Sequence, residues 1–220
     1  NVWLPEDYIV KSSKEVELNK FAGMDCYVGV DLAATSDLTA VAYLVVLDGT
    51  YYFKTHYYLP ESALKDKADK ELYKYWKQQE YLTVTSGNVT DYDYITTDML
   101  RYADVVNIQS VGYDKYNATQ WAIDSTEQGL PLEEYPQTLG NFNMPTRELE
   151  RLILSGKAVI DNNEINRYCF RNVTLKSDYN GNVKPNKAVD KKKIDGTIAM
   201  IQALGMYLRT PHYTNEILTI

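Results

Sequence analysis

The sequence is poor in the residues that bind zinc or form disulfide frameworks. Its 220 residues include only two Cys and two His. Cys26 begins an apolar run, and Cys169 lies far from it in the chain. A Cys/His zinc site needs four clustered ligands, and a disulfide framework needs several paired cysteines. The composition therefore argues against both and favours a protein with reduced thiols.

Long apolar runs are also missing. No stretch approaches the roughly 20 apolar residues of a membrane-spanning helix, and no signal peptide is recognisable. We therefore expect no contact with a membrane. The chain begins with Asn1 rather than Met, which indicates a fragment of a longer protein, so the missing targeting signal says little about the parent.

Basic residues are outnumbered by acidic ones. The chain has 23 Lys and Arg against 30 Asp and Glu, a net charge of −7. Proteins that bind nucleic acid through its phosphates are usually basic, so this balance counts against a nucleic-acid partner. Part of the acidic excess can belong to a metal site, whose cations are not in the count. An ordinary acidic soluble protein is the alternative.

The apolar residues that are present predict an α/β fold. A hydrophobic fraction of 45% is enough for a real core. Apolar runs at 26–30, 39–47 and 51–58 predict three strands. The pair Asp48–Gly49 between the second and third runs is a strong hairpin signal. These strands therefore form an antiparallel meander.

Helices and strands alternate after the meander. Helices are predicted at 60–79, 91–107, 117–128, 144–154 and 162–171, and short strands at 81–85, 108–113, 132–135 and 157–160. A β-hairpin follows at 173–188, and a last helix begins at Asp195. The order predicts a ribonuclease H-like α/β fold, in which a mixed sheet of three antiparallel and then parallel strands is flanked by helices, with a β-hairpin inserted before the last helix. We expect a lead-in segment at 1–25, the folded domain at 26–210 and a C-terminal tail at 211–220.

Three aspartates occupy matched places in this pattern. Asp31 ends the first strand, Asp114 follows the strand at 108–113, and Asp195 begins the last helix. Carboxylates at these places can converge at one sheet edge, where they can hold hard divalent cations. Two such ions about 3.5–4 Å apart can activate a water and stabilise the leaving oxygen of a phosphodiester. The pattern predicts metal-dependent phosphodiester cleavage, with these three residues as catalytic metal ligands and Asp31 bridging both ions.

Each aspartate also has a simpler explanation. Asp31 can cap a turn, Asp114 can be a loop residue, and Asp195 can cap its helix through free backbone N–H groups. The joint placement of the three favours a site. Asp37 is a candidate fourth metal ligand, and the alternative is a turn-forming Ser-Asp pair.

Lysines stand directly before Asp195. Lys191, Lys192 and Lys193 form a charged run that is either a solvated face or a phosphate-binding patch. Lys187 and Arg147 can extend this patch into a track for the backbone of double-stranded DNA. Such contacts position DNA without reading its sequence.

These motifs resemble the nuclease motifs of the large terminases of tailed phages. Residues 28–40 resemble the first motif, residues 112–119 the second, and residues 181–187 with 193–200 the third motif and its preceding hairpin. The resemblance covers roughly residues 26–208. It implies metal-ligand roles for Asp31, Asp114 and Asp195, and an acidic position near them for Asp37.

The resemblance implies an endonuclease that cuts concatemeric viral double-stranded DNA in the host cell cytoplasm, with Mg²⁺ or Mn²⁺ as cofactor and two ions expected. In the full-length protein it implies an N-terminal ATPase domain and, as partners, the small terminase subunit and the portal. The isolated domain is expected to be monomeric. The chain contains no Gly-x-x-x-x-Gly-Lys-Ser/Thr motif, so no ATPase activity is expected of it.

Three other interpretations stay open. Residues 29–36 resemble the first phosphate loop of sugar kinases and actin-like ATPases, but that fold needs a second, duplicated half. The chain can also be a non-catalytic ribonuclease H-like module that binds DNA or a partner. The third alternative is a resolvase- or recombinase-type nuclease of the same fold.

Overall fold

The computed structural model describes residues 2–33, 35–65, 68–116 and 118–212. Within these ranges the strands are β1 (Ser13–Lys14), β2 (Asp25–Asp31), β3 (Thr39–Leu47), β4 (Thr50–Pro60), β5 (Thr83–Thr85), β6 (Asn107–Tyr113), β7 (Leu132–Glu134), β8 (Ala158–Asp161), β9 (Val173–Ser177) and β10 (Val183–Lys187). The α-helices are α1 (Glu6–Ser12), α2 (Lys70–Gln78), α3 (Tyr92–Ala103), α4 (Thr119–Glu127), α5 (Leu139–Leu154), α6 (Glu164–Arg171) and α7 (Asp195–Arg209). Short 3-10 helices cover Leu18–Phe21 and Glu61–Lys65.

Eight strands form one mixed sheet. Seven of them follow the order β1-β8-β4-β3-β2-β6-β7, and β5 pairs with β4 beside this path. The strands β2, β3 and β4 are antiparallel neighbours, whereas β6 joins β2 and β7 joins β6 in parallel. β9 and β10 form a separate hairpin directly before α7. The predicted fold class is confirmed.

The two faces of the sheet bury two different apolar clusters. Successive residues of a strand point to opposite faces, so Ala42 and Leu44 of β3 enter one cluster while Val41 and Tyr43 enter the other. The first cluster also holds apolar residues of α1, α2, α5, α6 and α7, and the second holds those of α3 and α4. The sheet is therefore covered by helices on both faces.

Helix α7 is the central helix of this fold. Every residue from Asp195 to Met206 is buried. A Cβ on Gly29 of β2 would come within 2.5 Å of the Ala203 nitrogen, so only glycine allows the helix to lie this close to the strand. The helix runs antiparallel to β2, because Tyr207 near its end packs on Tyr27 near the strand's start, with 5.2 Å between ring centroids. This packing brings the first residue of α7 to the end of β2.

Helix α5 begins five residues earlier than the predicted start at residue 144, so that boundary was wrong. The Thr138 side chain caps the helix by accepting a hydrogen bond from the Asn141 N–H at 3.2 Å. Pro145 therefore lies inside the helix, where it has no N–H to donate to the Asn141 carbonyl one turn earlier. The Tyr135 hydroxyl donates to that carbonyl instead, at 2.6 Å.

The predicted helix at 60–79 is divided, and residues 66 and 67 lie outside the described residues. Its first part is the 3-10 helix Glu61–Lys65 and its second is α2. Both parts bury apolar residues, Ala63 in the first and Trp76 in the second. In one continuous α-helix these two residues would point about 140° apart, so they would not share one face of an amphipathic helix. The other predicted helices and strands are present with ends shifted by a few residues.

Residues before β2 pack with the rest of the domain. β1 pairs in parallel with β8, and Leu4, Ile9 and Val16 are buried in the apolar clusters. The expected lead-in segment thus contributes a strand and core residues, while the domain limits at 26 and 210 stay a prediction. Of the predicted tail at 211–220, residues 213–220 lie outside the described residues. No helix in the described part of the chain is long and apolar enough to cross a membrane.

Candidate active site

Asp31 and Asp195 come together where β2 ends and α7 begins. Burial raises the pKa of Asp31 well above its usual range, and the charge of Asp195 raises it further. Burial also raises the pKa of Asp195 to about 6, and the charge of Asp37 adds to this. Among the described residues, Oδ2 of Asp195 is buried and has no hydrogen-bond partner. A half-buried and a buried carboxylate that repel each other, one of them with an unpartnered oxygen, fit a bound cation, which would satisfy that oxygen and offset both charges.

Asp114 lies at the end of the neighbouring parallel strand. Val30 pairs with Tyr113, so Asp31 and Asp114 follow matched positions of β2 and β6. Backbone N–H groups occupy both carboxylate oxygens of Asp114. Tyr116 N donates to Oδ1 at 3.0 Å and Gln137 N donates to Oδ2 at 2.9 Å. No three His, Cys, Asp or Glu side chains of the described residues are grouped as a metal cage, so this conformation does not gather all three carboxylates.

Gln137 was missed by the sequence analysis. It lies between β7 and α5, and its side-chain amide Nε2 donates to Asp31 Oδ1 at 3.0 Å. Its backbone N–H contacts Asp114, so one residue touches both carboxylates. The side-chain hydrogen bond lowers the pKa of Asp31 and thereby partly opposes the effect of burial. A glutamine in a loop belongs to no motif, so no local signal indicated this role.

Asp37 forms an ion pair with Lys193. Burial acts to raise the pKa of Asp37, but the hydrogen bond and charge of Lys193 outweigh it, and the pKa is lowered. The Lys193 ammonium also donates to the Ser36 carbonyl at 3.4 Å, and its side chain is only 12% exposed. The predicted fourth ligand and the third lysine of the run therefore satisfy each other in this structure.

The hairpin brings two further lysines to the carboxylates. The charge of Lys187 lowers the pKa values of Asp31, Asp37 and Asp195, which places this ammonium near all three. Lys184 Nζ donates to the Gln137 carbonyl at 2.9 Å. Both lysines line a cleft of about 360 Å³ together with Asp31, Gln137 and Asp195.

The other predicted DNA contacts lie beside this cleft. Lys191 and Lys192 are exposed and line an adjacent hollow of about 560 Å³. Arg147 is engaged with the hairpin, since its Nη2 donates to the Gly181 carbonyl at 2.7 Å. Its Nε donates to Asn143 Oδ1 at 3.2 Å, and the same oxygen accepts from Val183 N at 2.9 Å. Arg147 and Asn143 thus hold the hairpin against α5.

This arrangement defines a class of protein. An antiparallel meander continued by parallel strands, with aspartates at the ends of β2 and β6 and at the start of α7, is the ribonuclease H-like nuclease fold. Residues 4–210 match the family described as terminase large subunit, endonuclease domain. The chain belongs to this family.

Individual relatives agree with this assignment. The chain is 31% identical over 210 residues to Protein YmfN of Escherichia coli (strain K12), covering 87% of this chain and 45% of that protein. The crystal structure of the HK97 bacteriophage large terminase superimposes with a TM-score of 0.82 at 25% identity, covering 92% of this chain and 43% of that one. The large terminase nuclease of thermophilic phage G20c with bound magnesium gives a TM-score of 0.54 at 12% identity, covering 82% and 80%, and shows the fold alone. The chain spans less than half the length of the curated relatives it matches.

Proposed function

We propose that this chain hydrolyses phosphodiesters of double-stranded DNA in a reaction that depends on divalent metal ions. The main support is that Asp31 and Asp195 lie close together where β2 ends and α7 begins. Among the described residues, Oδ2 of Asp195 is buried and has no hydrogen-bond partner. A buried carboxylate pair is costly unless a positive charge compensates it. Oxygen ligands of this kind suit Mg²⁺ and Mn²⁺.

In this proposal Asp31, Asp114 and Asp195 hold two Mg²⁺ or Mn²⁺ ions, with Asp37 close by. Bound ions supply an activated water and stabilise negative charge at the scissile phosphate. Asp31 would serve both ions, because it neighbours Asp114 across the β2–β6 pair and Asp195 at the start of α7. The G20c nuclease, solved with magnesium, has the same fold and is consistent with this choice of ion.

Lysines of the chain would hold the DNA backbone beside the carboxylates. Lys187 offsets the charge of the carboxylates and lines their cleft. The exposed ammonium groups of Lys191 and Lys192 can bind phosphates outside that cleft, while Lys193 is paired with Asp37. Arg147 would act through the hairpin that it holds. Because contacts to phosphates do not read base edges, we expect little sequence preference.

At the level of the whole protein, we propose a packaging motor that cuts concatemeric viral DNA in the host cytoplasm. The nuclease domain, at 26–210, would follow an N-terminal ATPase and act with the small terminase subunit and the portal. The sequence of this chain contains no phosphate-binding loop motif, so ATP hydrolysis is not proposed for it. The isolated domain is proposed to be monomeric.

Plasmid cleavage tests the nuclease directly. Purified protein is incubated with supercoiled plasmid and Mg²⁺ or Mn²⁺, with EDTA as the metal-free control. We expect nicking and linearisation that need the metal, and loss of both in Asp31→Asn, Asp114→Asn and Asp195→Asn, because each change removes a charged ligand but keeps the shape. Asp37→Asn should have a smaller effect.

A matched control is Asp25→Asn, at the opposite end of β2, which should cut like the parent. Absence of cleavage over a wide range of protein and metal concentrations would favour the non-catalytic binding module. Cleavage at the parent rate by a folded Asp31→Asn, Asp114→Asn or Asp195→Asn variant would remove that residue from the site. A strong preference for branched DNA would favour the resolvase-type alternative.

A further inference from the structure

We propose that Gln137 is a positioning residue that orients the carboxylate of Asp31 for metal binding. This inference rests on the proposed function and adds to it a residue that is not itself a metal ligand. Its side-chain amide donates to Asp31 Oδ1 at 3.0 Å, and its backbone N–H donates to Asp114 Oδ2 at 2.9 Å. One residue therefore contacts the carboxylates at the ends of two neighbouring parallel strands.

The loop that carries Gln137 is held from several sides. Lys184 of the hairpin donates to its carbonyl at 2.9 Å. The Pro136 carbonyl accepts from Asn141 Nδ2 and from Thr138 N, each at 2.8 Å. These contacts tie the loop to the first turn of α5 and to β10. A donor fixed in this way can hold an aspartate in one rotamer, which is the task of residues that support a metal ligand.

The chemistry of the amide suits this task. An amide N–H stabilises the charged carboxylate by a hydrogen bond without adding a charge of its own. A lysine at this position would compete with the metal ion for Asp31, and a glutamate would repel it. The amide engages Oδ1 of Asp31, and Asp31 lines the same cleft as Asp195. Only the side-chain contact can be removed by substitution without disturbing the backbone contact to Asp114.

A second glutamine in the chain provides a matched control. Gln109 Nε2 donates to Asp25 Oδ1 at 3.1 Å, the same kind of contact at the other end of β2. Gln137→Met keeps the length of the side chain and removes the donor, and Gln109→Met does the same at the control position. Gln137→Asn is a second variant that keeps an amide but is too short to reach Asp31.

Mn²⁺ binding is measured by calorimetry on DNA-free protein, and the Mn²⁺ concentration for half-maximal plasmid cleavage is measured in parallel. We expect Gln137→Met and Gln137→Asn to weaken Mn²⁺ binding and raise the half-maximal concentration about 10-fold or more, as changes around metal ligands do. Gln109→Met should match the parent in both. Each variant loses one hydrogen bond to a carboxylate, so all three should melt slightly lower in EDTA. DNA binding without metal should be unchanged in all three, and only the Gln137 variants should lose Mn²⁺ affinity, which a merely structural role of Gln137 would not predict.

Mn²⁺ affinity at the parent value in both Gln137 variants would overturn the inference. Asp31→Asn in the same series separates this outcome from failure of the proposed function. If Asp31→Asn loses Mn²⁺ binding and the Gln137 variants keep it, Asp31 is a ligand that needs no positioning by Gln137. If Asp31→Asn also binds Mn²⁺ like the parent, the metal site itself is wrong.

Discussion

Asp195 has two possible roles, a metal-site residue or the cap of α7, and its contacts distinguish them. The sequence allowed it to cap α7, but the capping position is Ile194, and no side-chain capping bond is formed. Its Oδ2 is buried without a partner among the described residues. The start of a helix favours negative charge, yet burial and the charge of Asp37 still raise the pKa of Asp195 to about 6. The ionised carboxylate is therefore destabilising in the absence of a cation.

This imbalance predicts a pH dependence of stability in EDTA. Because the pKa of Asp195 is raised from 3.8 to about 6 in the folded state, the folded state binds more protons than the unfolded state between these values. The parent should lose stability as the pH rises through about 6, and it should regain stability on acidification. In Asp195→Asn the side chain at position 195 does not titrate, so this variant should lose less stability than the parent as the pH rises over this range.

Denaturant unfolding of both proteins at pH 5 and pH 7.5 in EDTA measures this difference. Asp25→Asn, an exposed aspartate at the start of β2, serves as a control and should follow the parent. An Asp195→Asn variant that loses as much stability as the parent over this range would show that Asp195 does not carry the buried charge.

Residue positions were predictable where the signal was local. Asp31 and Asp195 were predicted as site residues because each stands beside an apolar strand or helix whose pattern is visible in the sequence. The structure brings the two together, and their metal-ligand role stays a prediction. Gln137 was not recognised, since its partner Asp31 is 106 residues away in the chain and a loop residue has no period. The pairing of Asp37 with Lys193, 156 residues apart, was hidden for the same reason.

At the scale of elements, α5 depends on a contact from outside the helix. Pro145 cannot donate a backbone hydrogen bond, and the carbonyl of Asn141 would lack a partner without the Tyr135 hydroxyl, which donates at 2.6 Å. Tyr135 is almost fully buried and its ring also packs on Phe142, with 5.8 Å between centroids. The tyrosine thus allows a proline inside a helix that the sequence alone predicts to begin there.

A double-mutant cycle tests this dependence. Tyr135→Phe should destabilise the parent by about 1 kcal/mol, because the half-buried Asn141 carbonyl loses this hydrogen bond. In a Pro145→Ala background the new N–H of residue 145 can bond the Asn141 carbonyl, so Tyr135→Phe should cost clearly less. Denaturant unfolding gives all four free energies. An equal cost of Tyr135→Phe in both backgrounds would refute the link between the tyrosine and the proline.

Elements with a clear period were found with small boundary errors, as with the meander and α7. The errors occur where tertiary contacts override local signals. Thr138 and Tyr135 extend α5 past a proline. The helix expected at 60–79 is divided into a 3-10 helix and α2, which each bury a residue in the core. Residues before β2 lacked a visible period because their apolar side chains enter the clusters from a helix, a 3-10 helix and the connecting segments.

At the scale of the whole molecule, basic residues are outnumbered by acidic ones, but several lysines lie near the carboxylates. The net charge is −7, yet Lys184 and Lys187 line the carboxylate cleft and Lys191 and Lys192 line the adjacent hollow. Lys193 is paired with Asp37, so its charge is less available to DNA phosphates than the sequence suggested. The proposed contacts to the DNA backbone would come from these lysines although the protein as a whole is acidic.

The exposed lysines should account for part of the salt dependence of DNA binding. Lys191→Ala with Lys192→Ala should weaken binding to a short duplex in EDTA and reduce the log–log salt slope by roughly 0.9 for each phosphate that is no longer neutralised. The control is Lys11→Ala with Lys20→Ala, which removes two exposed lysines outside the cleft and hollow. Binding measured between low and moderate salt gives both slopes. Equal slopes for the two double variants would place Lys191 and Lys192 on a solvated face.

Three aspartates from distant parts of the chain are proposed to form one divalent-metal site. Thermal melting with and without Mn²⁺ tests it most directly on the parent, Asp31→Asn, Asp114→Asn and Asp195→Asn, with Asp25→Asn as the control. At about 100 times its dissociation constant, Mn²⁺ should stabilise the parent and the control by on the order of 2.7 kcal/mol per site. The three site variants should lose most of this gain. An equal metal-induced rise in melting temperature in all five proteins would contradict a metal site formed by these three aspartates.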